Sequence, residues 1–249
     1  MTRQVFPRVF ELIDEIDDRL DPSAYFRDFE SKIKESPGMA QVWHRRERGL
    51  ASLSQGAWTQ LKSEAKPYLA RKETAGRGWA QLIAILNQAR AYNYMQSLGC
   101  ADIQFIPRAR TRRIETPDLK GLLNYVEVLC EVKTIGASDI EIAARRDIKG
   151  SPSQNHLSSQ FLEKLDLTLK KAASQLTTHQ TNEASICVAF LVINFDDWLG
   201  EYKEAYYRQI DIHLLNDPCR NYRIVIYNQI TAFHTDVEMK NAKVINEEV

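Results

Sequence analysis

Neither sign of charge predominates in this chain: its 249 residues hold 33 Lys and Arg against 33 Asp and Glu, a formal net charge of zero. A globally basic surface for polyanions is thereby excluded, and any anion-binding surface has to be local. No apolar run approaches the roughly 18–20 residues that span a bilayer. The opening MTRQVFPRVFELIDEIDD is not the pattern of a signal peptide. Cys100, Cys130, Cys187 and Cys219 stand far apart with no Cys-x-x-Cys, so the expectation is reduced thiols in a cytoplasmic protein. His44, His156, His179, His213 and His234 show no paired ligand spacing, and with scattered cysteines there is no zinc signature. Gly-x-Ser-x-Gly, P-loop and Gly-x-Gly-x-x-Gly are all missing, as are internal repeats and low-complexity tracts.

What is present is an ordinary soluble composition, 44% hydrophobic and 27% charged, long enough for one sizeable domain and a smaller appendage. Its most informative stretch is TPDLKGLLNYVEVLCEVKTIG, from Thr116 to Gly136. The β-branched run predicts a strand, in which Leu129, Glu131 and Lys133 face one way and Val128, Cys130 and Val132 the other. Asp118 returns beside Glu131 if the chain folds back near Lys120-Gly121 or Asn124. Two hard carboxylates with an ammonium at their rim suit a divalent cation and Mg²⁺-assisted attack of water on a phosphodiester. Glu-x-Lys is also common on half-exposed strands for plain charge balance, so the surrounding elements have to carry part of the argument.

Residues 1–72 read as an all-helical appendage. Val9, Ile13, Ile16 and Leu20 recur at helical spacing, and Asp21-Pro22 is placed to stop that helix and start a second through Phe26, Phe29 and Ile33. Further helices are expected over Met39 to Leu53 and Trp58 to Leu69. Within them His44-Arg45-Arg46-Glu47-Arg48 is a basic cluster, either a solvated helix face or a phosphate-contacting patch. The core is expected over residues 73–235, opening with a helix from Trp79 to Leu98 that Gly99 ends. Ala101 to Pro107 reads as a first strand. Ser159 to Thr178 is a helix with Leu162, Leu165, Leu169 and Leu176 toward a sheet. Ser185 to Phe195 is a buried central strand, Glu201 to Leu215 a helix, and Tyr222 to Tyr227 a last strand. Asp196-Asp197 reads as a loop or helix cap, since neighbours on a strand face opposite ways. Residues 236–249 read as a polar, frayed tail.

Between the first strand and Asp118 lie Arg108, Arg110, Arg112 and Arg113, four arginines in six residues. Bidentate guanidinium contacts suit phosphate oxygens; the alternative is a solvated loop offsetting Glu115, Asp118 and Glu131. The segment Ala137 to Asn155 is either a groove flank or a plain connection.

With Pro117-Asp118 and Glu131-Val132-Lys133 in this order of elements, the stretch from about Gly76 to Phe233 resembles the PD-(D/E)xK nuclease superfamily. The resemblance implies an α/β, restriction-endonuclease-like fold: a mixed central sheet flanked by helices, here with an N-terminal all-helical appendage. It implies a nuclease acting on DNA, with Asp118, Glu131 and the Val132 carbonyl binding Mg²⁺, for which Mn²⁺ can substitute, and Lys133 orienting the attacking water. Family members often carry a Glu on the first helix; here Gln81 stands near that place, and Glu73 precedes the helix. Some carry a Gln on the later helix, for which Gln175 and Gln160 are the candidates. An RNA-directed nuclease, or a catalytically inactive module binding nucleic acid or protein, are the alternatives. No membrane partner is expected, and a homodimer is compatible with the resemblance.

Overall fold

A computed structural model describes residues 2–16, 25–26, 28–70, 80–107, 116–136, 156–193, 202–215, 222–228, 231–235 and 244–246. Contacts divide the chain into two compact units, Met1–Gly99 and Cys100–Val249.

The first unit is helical: α1 (Thr2–Val5), α2 (Pro7–Ile13), α3 (Phe29–Glu35), α4 (Pro37–Ala51), α5 (Gln55–Leu69) and α6 (Ala80–Ser97). Pro37 begins α4, where its missing N–H costs nothing at the first position. Ser36 Oγ accepts from Met39 N ahead of α4, and Ser54 Oγ accepts from Ala57 N ahead of α5, both ordinary N-caps. Phe26, Phe29 and Trp43 meet edge to face in the core, the geometry aromatic quadrupoles favour. Buried Glu47 accepts from the backbone N–H groups of Arg8 and Val9, each at 2.9 Å. The basic cluster on α4 is therefore only partly a solvated face. Glu47 satisfies the start of α2, Arg46 lies over the Trp43 ring, and His44 tilts against Phe6. Helix α6, read from sequence as the first element of the core, packs with α4 and α5 in this unit. There Asn93 Nδ2 donates to Gly49 O and its Oδ1 accepts from Ser52. Gly99 ends the helix at φ +84°.

The second unit holds β1 (Ala101–Phe105), β2 (Leu119–Leu123), β3 (Val126–Ile135), α7 (Ser159–His179), β4 (Ile186–Ile193), α8 (Lys203–Leu215), β5 (Arg223–Asn228), β6 (Thr231–Thr235) and β7 (Val244–Asn246). The strands form one sheet in sequence order. β1, β2 and β3 are antiparallel, β3, β4 and β5 parallel, and β5, β6 and β7 antiparallel. This is a mixed α/β sheet. The parallel pairs follow from α7 and α8, since parallel neighbours need a long crossover. Leu165, Leu169 and Leu176 of α7 and Ile210 and Leu214 of α8 share one core with Leu129, Ile135 and Leu191 of the sheet. β4 is buried on both faces, which is why its sequence is a continuous apolar run rather than an alternation. The last strand expected from sequence, β5, is followed by two more, and the polar tail contains β7.

Candidate functional site

The site is set by a hairpin. β2 and β3 join through Asn124 and Tyr125, with φ of +51° and +66° and Leu123 opposite Val126. Positive φ at both positions is the turn that matches the twist of paired strands. The fold-back is thus at Asn124; Lys120-Gly121, the other place considered, lies within β2. The register puts Leu119 opposite Cys130, so Asp118, one residue earlier, falls beside Glu131. Asp118 N donates to Cys130 O at 3.1 Å, and Asp118 O accepts from Ile106 N at 2.8 Å. Asp118 Oδ2 accepts from Val132 N at 2.8 Å. Pro117, with no N–H to satisfy, is buried just before it.

Alternation along β3 places Glu131 and Lys133 on the face of Leu129 and Ile135, toward α7. Leu129 and Ile135 join the core, and the two charged residues lie between them. Glu131 is buried; its Oε1 accepts from Lys133 Nζ at 2.5 Å, while among the described residues its Oε2 finds no donor. Lys133 Nζ also donates to Gln175 Oε1 at 2.5 Å, and Gln175 Nε2 donates to Thr116 O at 3.2 Å. Burial pushes the Glu131 carboxyl up to about 8, with the Asp118 charge adding to the shift and the Lys133 ammonium opposing it. Burial, then the charges of Asp118 and Glu131, hold the Cys130 thiol well above its ordinary range.

Asp118, Glu131, Lys133 and Gln175 are therefore brought together. Val132 enters through its N–H, bonded to Asp118, whereas the resemblance implied a role for its carbonyl. Gln160 is exposed near the start of α7, roughly four turns from Gln175, so of the two glutamines on that helix Gln175 reaches the site. Gln81 is exposed on α6 in the first unit; the hydrogen bonds that assemble the site come from Ile106, Thr116–Lys133 and Gln175. Arg108, Arg110, Arg112, Arg113, Glu73, Asp196 and Asp197 lie outside the described residues. Among the described residues no group of three or more His, Cys, Asp or Glu comes together, so the side-chain oxygens available to a cation are those of Asp118 and Glu131. The Thr116 carbonyl is a participant that sequence reasoning missed. A backbone atom leaves no mark in residue type, and the Pro-Asp after it was the only available pointer.

Cys100, Cys130 and Cys187 are free thiols; Cys219 lies outside the described residues. Among the described residues no helix is long and apolar enough to cross a membrane. Compared with protein-family models, curated proteins and solved structures, the chain matches none.

Proposed function

We propose that this chain is a nuclease that hydrolyses phosphodiester bonds in DNA, using Mg²⁺ or, in its place, Mn²⁺. The observation that carries this is Glu131, a buried carboxyl whose Oε2 finds no donor among the described residues and which lies close enough to a second carboxyl, Asp118, to share a proton with it. A buried acceptor left unpaired costs about 1–3 kcal/mol, and below about pH 8 the pair avoids two adjacent charges only because Glu131 keeps its proton; a divalent cation would relieve both by taking the proton's place. A hard divalent cation fits these oxygens. When bound, it supplies Lewis acidity toward a phosphoryl oxygen and lowers the pKa of a coordinated water.

The remaining chemistry belongs to the chain. The Val132 N–H and the backbone bonds at Asp118 fix one carboxylate against the other without using Glu131 Oε2. Lys133 presents an ammonium, its side chain 25% exposed, which offsets negative charge growing on the phosphate and hydrogen-bonds the attacking water. Gln175 adds a neutral amide beside it. The run of hairpin, α7, β4, α8 and β5 supports a restriction-endonuclease-like arrangement as part of this proposal.

The test is incubation of plasmid, linear and single-stranded DNA, and of RNA, with Mg²⁺, Mn²⁺ or EDTA. Cleavage of DNA with either cation and none with EDTA is expected. Asp118→Ala and Glu131→Ala stay folded and lose cleavage, because neither carboxylate contributes apolar packing. Lys133→Met loses on the order of 10²-fold or more in single-turnover rate while calorimetry still detects the cation. Near-normal cleavage by any of the three removes that residue from the mechanism. Cleavage of RNA alone moves the substrate, and folded protein that neither cleaves nor binds a cation leaves an inactive binding module.

A further inference from the structure

Gln175 is nine-tenths buried, and its two bonds run in opposite senses. Lys133 Nζ can only donate and the Thr116 carbonyl can only accept, so the amide orientation is fixed by its partners: Oε1 toward Lys133, Nε2 toward Thr116. The side chain thereby ties the ammonium on β3 to the segment that runs into Asp118, two residues after Thr116. Among the described residues Lys133 has one other bonded partner, Glu131 Oε1, and that oxygen belongs to the carboxylate assigned above to the cation. A divalent charge on Glu131 repels the ammonium, and a lysine with four rotatable bonds and a partly exposed side chain has a route to water.

We infer that Gln175 is a positioning residue that retains Lys133 at the carboxylate pair when Glu131 ceases to be its partner. A neutral amide is suited to this task. A carboxylate at 175 would add a third negative charge and leave Thr116 O without its donor. An apolar side chain would abandon both partners. The inference deepens the proposed function where it concerns the cation, but the tether itself is testable without one.

The readout is the rate at which Lys133 in the full chain is labelled by an amine-acetylating reagent, followed by mass spectrometry. Lys170 and Lys171, exposed on α7, are the internal references. In metal-free Glu131→Ala protein Lys133 is expected to label on the order of tenfold more slowly than these references, a protection in line with a charge-assisted hydrogen bond. In Glu131→Ala/Gln175→Met it labels within about twofold of them, and in Glu131→Ala/Gln175→Glu, which restores an acceptor, protection returns. Methionine is chosen for its similar length and good helix propensity. Gln175→Asn, one methylene short, serves if the methionine variant does not fold, and circular dichroism checks each. If Lys133 labels freely in Glu131→Ala alone, or stays protected when the tether is removed, the inference is overturned.

A second arm adds Mg²⁺ to otherwise wild-type protein and to Gln175→Met. Lys133 stays protected in the former and becomes about tenfold more reactive in the latter. If Mg²⁺ changes nothing in either and calorimetry shows no binding, the cation assignment falls while the metal-free arm still decides the tether. If Mg²⁺ binds and Gln175→Met remains protected, the tether falls and the cation assignment stands.

Discussion

At the scale of single residues the consequential group is Glu131. Its carboxyl holds a proton up to about pH 8 in the fold against an ordinary value of 4.5, so between those limits the folded state binds more protons than the unfolded chain. Stability of the metal-free protein therefore falls as pH rises from about 4.5 to about 8, and is flat in this respect outside that window. At about 1.4 kcal/mol per pH unit the whole effect is bounded near 5 kcal/mol. Glu131→Gln carries no such proton and can still accept from Lys133. It should unfold at higher urea than wild type at pH 8, with the advantage shrinking toward pH 5. Urea curves for the two proteins that keep a constant separation across pH would remove the buried-carboxylate account. The grouping of Asp118, Glu131 and Lys133 was legible because β-alternation alone puts 131 and 133 on one side. Gln175 was legible only as one of two glutamines on a predicted helix, since choosing between them requires the register of α7 against β3. Glu47 was not legible. In sequence it is one acid among arginines, and its role depends on α2, nearly forty residues earlier.

At the scale of elements the hairpin from Leu119 to Ile135 decides where Asp118 lands, and its turn carries strain. Tyr125 is 98% exposed yet held at φ +66°, where a side chain costs roughly 1–2 kcal/mol and glycine is at ease. Tyr125→Gly gives back part of this through the greater freedom of the unfolded chain, roughly 0.5–1 kcal/mol. The net expectation is a gain on the order of 0.5–1 kcal/mol, with no change in cation binding because the register is kept. A lower thermal midpoint for Tyr125→Gly would mean the tyrosine contributes something its exposure does not show. The same turn explains why two fold-back points stayed open in the sequence. Asn-Tyr lacks the glycine that marks such turns, and Lys120-Gly121 offers a decoy in the middle of β2. The long helices α6 and α7 and the apolar strand β4 were legible within a few residues, because burial of one face or of both writes itself into periodicity. β7 was not, because a three-residue strand carries too little pattern to rise above a polar tail.

At the scale of the whole molecule, partition and charge behave differently. Gly76-Arg77-Gly78 has the composition of a junction, but composition cannot say which helices α6 prefers; its bonds to Gly49 and Ser52 group it with the first unit. Charge is legible from sequence at once: with 33 residues of each sign, long-range attraction to a polyanion cannot come from the molecule as a whole. If the proposed function holds, binding of DNA would have to draw on local cations, and Arg108, Arg110, Arg112 and Arg113 closely precede the Thr116–Asp118 segment in the chain. Replacing Arg110, Arg112 and Arg113 together with alanine should weaken binding evenly across DNA sequences. Each lost phosphate contact should also flatten the dependence of log affinity on log salt by roughly 0.7–0.9, so three contacts remove roughly 2–3 from the slope. Cation affinity measured by calorimetry should be unchanged, because Asp118 and Glu131 keep their partners on β3. The measurement is fluorescence anisotropy of labelled DNA over a salt series, with EDTA present to prevent cleavage. An unchanged slope would return these arginines to a solvated loop whose charge merely balances the neighbouring acids, and the phosphate contacts would then have to be sought on other residues.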